Sequence, residues 1–268
     1  MEVCLRVHNQ LMDFSRPRVM AIINFSPDSF FTSCDVDCEH HLLATVEGVI
    51  QSGADILDLG ACSTRPLSSP VDAATEWKLL KKGINIIRHH WADIPLSVDT
   101  FRADIAEQAL QCGADIINDV SGADNPKMLE VLSQHDVPYV LTHSQEAHNT
   151  LPDLLQFMQQ RLDLLHRLGI KDTIIDPGFG FAKTVEDNYT ILRQLDVLRT
   201  LHMPILVGVS RKSMLYKPLG LTPQDVLAAT VAANTIALER GANILRVHDV
   251  EAAKQAIAVF QLTHKDTI

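Results

Sequence analysis

Short runs rich in valine, isoleucine and leucine recur along the chain and alternate with longer stretches whose apolar residues return at helical spacing. Such runs read as parallel strands covered on both faces, because strands of that kind are apolar throughout instead of alternating. Eight occur: Val19 to Phe25, Asp55 to Gly60, Pro95 to Thr100, Asp115 to Val120, Pro138 to Ser144, Thr173 to Gly178, Pro204 to Ser210, and Asn243 to Asp249. A helix is expected after each. Leu151, Leu154, Leu155, Met158, Leu162 and Leu165 mark one stripe at i, i+3, i+4 spacing, and Ala253, Ala256, Ile257 and Phe260 mark another. Thr222-Pro223-Gln224-Asp225 reads as a helix start, with a capping hydroxyl, a proline in the first turn and an early carboxylate. Eight strand–helix repeats without a linker or a composition break predict an α/β fold, a single (β/α)₈ barrel over residues 1–268.

The polar positions carry the functional argument. Nearly every run starts apolar and ends polar: Asn24, Asp58, Asp99-Thr100, Asn118-Asp119, Thr142-His143, Asp176, Ser210-Arg211-Lys212, and Arg246 with His248. In a barrel the C-terminal ends of all strands open onto one rim, which holds the active site. One aspartate at a strand end is as well explained by structure as by function. Eight such groups are not, because unpaired buried charges cost several kcal/mol.

Composition narrows the setting. The 268 residues suit one barrel, and 46% hydrophobic with 21% charged residues is ordinary for a soluble globular protein. A net charge of −10 with no long run of one sign argues against nucleic-acid or membrane partners. The N-terminus lacks an apolar signal core and no 18 apolar residues run together, so a cytoplasmic location is expected. Five cysteines, an odd number, read as free thiols. Cys34 and Cys38 have zinc-like spacing but no matching second pair.

Four segments hold candidate chemistry. Gly208-Val209-Ser210-Arg211-Lys212-Ser213 ends the seventh strand, and the loops after strands seven and eight of a barrel commonly bind phosphate. Arg211, Lys212, Arg246 and His248 add positive charge there. The alternatives are a surface Arg-Lys pair with a structural histidine, or a Schiff-base Lys212 of the aldolase kind. Ser63-Thr64-Arg65-Pro66 suits a loop closing over an anion, with Arg65 as a planar fork, or an ordinary turn. In Asp176-Pro177-Gly178-Phe179-Gly180-Phe181-Ala182-Lys183 the carboxylate either accepts a guanidine-like edge beside an apolar Phe181 or caps the glycine turn. Asn24 and Asp99, at the ends of strands one and three, suit a Mg²⁺ or phosphate oxygen and a developing positive charge, with Asn118 as a neutral neighbour.

In order and spacing, NFSPDSF, GADILDLG with STRP, SVDT, IINDVSG, DPGFGF, LVGVSRKS and LRVHDV resemble dihydropteroate synthase, from about Met20 to Val250. The resemblance implies displacement of pyrophosphate from 6-hydroxymethyl-7,8-dihydropterin pyrophosphate by the amine of p-aminobenzoate, giving 7,8-dihydropteroate in folate biosynthesis. It implies an SN1-like course with Mg²⁺ assisting pyrophosphate departure, a sulfonamide target, and a homodimer. Residue by residue, it places Asp176, Asn118 and Asp99 on the pterin's donor edge and Lys212 on its carbonyl side. Asn24 ligates Mg²⁺, and Arg65, Arg246 and His248 surround the diphosphate. Thr64, Pro66, Phe181 and Ser213 receive p-aminobenzoate, its carboxylate near the start of the helix after SRKS. The catalytic set is thus Asp99, Lys212, Arg65, Arg246 and His248. No nucleophilic triad is required, since an arylamine is already neutral at pH 7.

The chain departs from the family pattern on its loops and pocket wall. Gly60-Ala61-Cys62 replaces Gly-Gly-Glu, Phe31-Thr32-Ser33-Cys34 replaces a glycine-rich stretch, Thr142-His143-Ser144 replaces Met-His-Met, and Ala182 stands for a glycine. An active enzyme with altered KM or sulfonamide sensitivity is therefore expected. The alternatives are a methyltetrahydrofolate:corrinoid methyltransferase, which has no diphosphate to hold, and a non-catalytic pterin-binding paralogue.

Overall fold

A computed structural model describes residues 4–8, 10–25, 35–61, 71–145 and 150–264, with backbone alone over 35–38. All eight expected strands are present, trimmed at their ends: β3 (Arg18–Asn24), β4 (Ile56–Gly60), β5 (Leu96–Asp99), β6 (Ile116–Asp119), β7 (Tyr139–Thr142), β8 (Thr173–Asp176), β9 (Leu206–Val207) and β10 (Ile244–Val247). They pair in parallel in the order β8-β7-β6-β5-β4-β3-β10-β9. A bridge between Ile175 and Ile205, with the Ile175 N–H donating to Pro204 O at 2.9 Å, closes the ring between β8 and β9.

The continuous apolar runs follow from burial on both faces. Outward residues such as Val19, Leu57, Val98, Ile117, Leu141 and Ile175 belong to the core shared with the helices. Inward residues Met20, Ile56, Ile116, Val140, Ile174, Leu206 and Ile244 fill the lower interior as one layer. Above that layer the next inward position on most strands turns polar: Asp58, Ser97, Asn118, Thr142, Asp176 and Arg246. The switch from apolar to polar inside the barrel separates its floor from its site.

One element was not expected from the pattern. β1 (Cys4–Val7) and β2 (Gln10–Asp13) form an antiparallel hairpin that presses Leu5, Val7 and Met12, together with Phe14, against the lower layer. Its strands are four residues each, and its turn passes through His8 at φ 46° without a glycine to announce it.

The helices are α1 (Asp35–Gln51), α2 (Ala73–His90), α3 (Ala103–Gln111), α4 (Pro126–Gln134), α5 (Leu151–Arg167), α6 (Val185–Arg193), α7 (Ser213–Leu219), α8 (Leu227–Glu239) and α9 (Val250–Thr263). Both predicted stripes are helical: α5 buries Leu154, Met158, Leu162 and Leu165, and α9 buries Ala253, Ala256 and Ile257. Thr222–Asp225 is not the helix start predicted. The Asp225 N–H donates to Thr222 O at 3.1 Å and the Thr222 hydroxyl to the Asp225 carboxylate, which makes a turn, and α8 begins after it without a side-chain cap. The sequence signals of a cap and of such a turn are the same residues used differently.

Phe25, just past Asn24, shows how tightly the strand ends are seated. It is buried, its N–H donates to Gly60 O at 2.7 Å, and its ring lies where a side chain at Gly83 of α2 would stand. Gly83→Ala is therefore expected to lower unfolding free energy by about 1–3 kcal/mol, although alanine is the better helix former by about 1 kcal/mol. Urea denaturation measures the difference.

Candidate active site

Asp58, fully buried on β4, is the centre of the polar layer. It accepts the Ser97 hydroxyl at 2.6 Å, Asn118 Nδ2 at 3.2 Å and Arg246 Nε at 2.7 Å. The same guanidinium donates from Nη2 to Asp99 Oδ2 at 2.7 Å. Arg246 is thus held between two carboxylates, and three strands are tied through one cation, with β6 joined through Asp58. Burial opposes its charge, but Asp58 and Asp99 outweigh that and keep it protonated. Burial pushes the Asp99 carboxyl upward, Arg246 opposes the shift and Asp58 adds to it. Loss of one partner from such a buried pair strands the other, at about 3–5 kcal/mol.

A second group borders this one. Asp176, at the end of β8, is buried and accepts the Gly178 N–H at 2.7 Å. Burial raises its carboxyl and Lys212 opposes that rise. Lys212 crosses the turn after Asp176: its ammonium donates to Phe179 O and sits 4.6 Å from the centre of the Phe181 ring. Burial lowers Lys212 to about 8, with Asp176 acting the other way. The turn is itself braced by Lys183, whose Nζ donates to His143 O at 2.9 Å, Gly178 O at 3.1 Å and Phe181 O at 3.3 Å. Gly178 has φ 70°, and a Cβ there would collide with His143 O, so no other residue fits. Ala182, by contrast, carries φ 46° without being glycine, a conformation costing an L residue about 1–2 kcal/mol.

The remaining predicted residues divide. Asn24 ends β3, exposed at the same rim; a Cβ on Gly60 would lie 3.3 Å from its Oδ1 and 3.6 Å from Asp99 Cβ. His248 lies just beyond β10, exposed, with Nδ1 3.0 Å from the Ser210 hydroxyl. The His248 backbone N–H also donates to that oxygen, at 3.2 Å. Ser213 begins α7 directly after Lys212. Thr64, Arg65 and Pro66 lie outside the described residues, as does Cys34, and the side chain of Cys38 is not described. The expectation that Arg211 adds charge to the site is corrected: it is spent on Asp249, with bonds of 2.9 and 2.6 Å, on a residue held at φ 57°.

Sequence reasoning placed Asp58 at a strand end but gave it no role, and it assigned none to Ser97 or Lys183. Alternation along β4 was the available signal for Asp58, since Ile56 and Asp58 share the inward face. Lys183 had none; its partners are backbone carbonyls fixed only by the fold. A further buried brace, Glu76 on α2, accepts the Thr100 hydroxyl at 2.8 Å and pairs with Arg102, whose Nη2 reaches Val71 O at 3.0 Å. It secures the chain where it returns from residues 62–70.

Buried carboxylates and cations thus share one rim. The profile of the family described as "Pterin binding enzyme" matches residues 20–248. The chain is 40% identical to the dihydropteroate synthase of Synechocystis sp. over 270 residues, 95% of this chain and 93% of that one. The chain belongs to the dihydropteroate synthase family of pterin-binding enzymes. It superposes on the Xanthomonas albilineans dihydropteroate synthase with 4-aminobenzoic acid at TM-score 0.91 and 34% identity, covering 98% of this chain and 99% of that one. The same bacterial enzyme in complex with 7,8-dihydropteroate matches at TM-score 0.87 and 33% identity, over 97% of this chain and 98% of that one. A dihydropteroate synthase is a transferase, and the expected barrel, family and enzyme class therefore stand together.

Lys212 is set to lose its proton within the ordinary assay range. Affinity for an anionic pterin substrate should fall as pH rises through about 8, because the deprotonated amine no longer stabilises it. In Lys212→Arg, whose guanidinium stays charged, that falling limb should vanish from the kcat/KM profile.

Proposed function

We propose that this rim joins 6-hydroxymethyl-7,8-dihydropterin pyrophosphate to p-aminobenzoate, releasing pyrophosphate and 7,8-dihydropteroate. The observation that carries the reading is the adjacency of Asp99, Asp176 and Asn118 to Lys212 and Arg246 at one barrel end, in a chain of this family. The carboxylates and Asn118 receive the amino and ring N–H groups of the pterin. Lys212 faces its carbonyl side and, with Phe181, closes the pocket wall.

The chemistry asks for little beyond position and charge. As pyrophosphate leaves, negative charge grows on its oxygens and positive charge on the pterin methylene. Asp99 stabilises the methylene, while Arg246, His248 and Arg65 stabilise the leaving group. The arylamine attacks without a general base and loses its proton afterwards. Thr64, Pro66, Phe181 and Ser213 hold p-aminobenzoate. Asn24 fits a Mg²⁺ that arrives with the diphosphate: it offers one neutral oxygen at the rim, and Mg²⁺ commonly combines few protein ligands with substrate phosphates and water. Bound there, the ion neutralises charge on the diphosphate.

Purified protein given the pterin pyrophosphate and Mg²⁺ should release pyrophosphate only when p-aminobenzoate is added, and a sulfonamide should compete with that amine. Lys212→Ala and Asp176→Ala should each lower kcat/KM by roughly 10²- to 10³-fold, and Asn24→Ala should raise the Mg²⁺ concentration needed for half-maximal rate. Pterin binding without turnover would favour the non-catalytic paralogue.

Among the described residues no helix is long and apolar enough to cross a membrane, and a cytoplasmic setting fits the folate reading. The chain also offers a surface for a homodimer. α8 is apolar nearly all round; it buries Ala233, Ala237 and Leu238, yet Leu227 and Ile236, with Val259 and Leu262 of the adjoining α9, remain 43–61% exposed. Sedimentation should show a dimer that Leu227→Glu with Ile236→Glu converts to monomer.

A further inference from the structure

Thr142 ends β7 on the strand between Asn118 and Asp176. Its alternation partner Val140 lies in the lower interior layer, so Thr142 also faces inward, and its register partner on β8 is Asp176. It is 1% exposed, and its Oγ1 has no hydrogen-bond partner among the described residues. Among the described residues the other buried hydroxyls of this rim are engaged: Ser97 with Asp58, Thr100 with Glu76, and Ser210 with His248. Ser144, two residues on, donates to Val120 O at 2.5 Å. A structural threonine at a strand end behaves as those do, because a buried hydroxyl without a partner is destabilising. The Asp176 carboxylate does not take it up either; its Oδ1 accepts the Gly178 N–H.

We propose that the Thr142 hydroxyl is a specificity-determining contact that accepts a hydrogen bond from the exocyclic amino group of the bound pterin. This rests on the dihydropterin reading of the site. A flat heterocycle whose donor edge spans Asn118 and Asp176 passes over the strand between them, and Thr142 is the inward residue at that strand's end. The amino group has two protons. Asp176 takes one, and Thr142 gives the other an acceptor where an apolar residue would leave it unpaired in a water-poor pocket. Sites that meet a buried N–H reject analogues lacking it far better than apolar walls do. The cost of an unpartnered hydroxyl in the ligand-free protein is thereby recovered on binding.

Binding and stability then respond oppositely to Thr142→Val, which keeps the shape and removes the oxygen. The KM for the pterin pyrophosphate should rise about fivefold, the worth of one ordinary hydrogen bond, while the KM for p-aminobenzoate changes little and the Tm of the ligand-free protein does not fall. Thr142→Ser should recover most of the lost pterin affinity. An unchanged pterin KM in Thr142→Val, an equal rise in both KM values, or a lowered Tm pointing to a structural hydroxyl would each overturn the proposal. Wild-type protein that neither turns over nor binds the pterin would instead sink the reading of the site, and this contact with it.

Discussion

One guanidinium between two buried carboxylates organises the upper half of this barrel. Arg246 comes from β10, Asp58 from β4 and Asp99 from β5, with Asn118 of β6 attached through Asp58. A hydrophobic substitute would stabilise the fold as well or better, since desolvating three charges costs more than most pairings return. The network makes sense as preorganisation. It fixes the rotamers of the groups proposed to meet the substrate, in a medium where each charge acts strongly. Burial raises the Asp99 carboxyl to about 7 even though Arg246 opposes the rise, and Arg246 is held in place by Asp58.

The eight barrel strands were legible in the sequence because burial on both faces leaves no ambiguity of period, and each run ended where polar residues began. The hairpin β1–β2 was not, since four-residue strands around a non-glycine turn carry almost no pattern. The Thr222 signal misled for a different reason: a hydroxyl three residues before an aspartate closes a turn as readily as it caps a helix. Local chemistry left the choice open, and the packing of α8 made it.

For the site, residue types at strand ends were informative and pairings were not. Asp99, Asn118, Asp176, Lys212 and Arg246 do converge, as the barrel topology requires. That Arg211 turns away to Asp249 while its neighbour Lys212 turns in could not be read from Ser-Arg-Lys-Ser, because it depends on a left-handed backbone at Arg211. Lys183 was equally hidden, serving two carbonyls of the turn and that of His143. Side chains that bond the main chain leave little trace in a motif.

The hairpin beneath the barrel has a consequence for traffic. With Leu5, Val7, Met12 and Phe14 stoppering the floor, the barrel is closed at that end, leaving the rim of strand ends as the way in. On the proposed reading, guests sharing that rim must queue by depth: a heterocycle resting on Asn118 and Asp176 goes in first and cannot depart until whatever lies above it has gone.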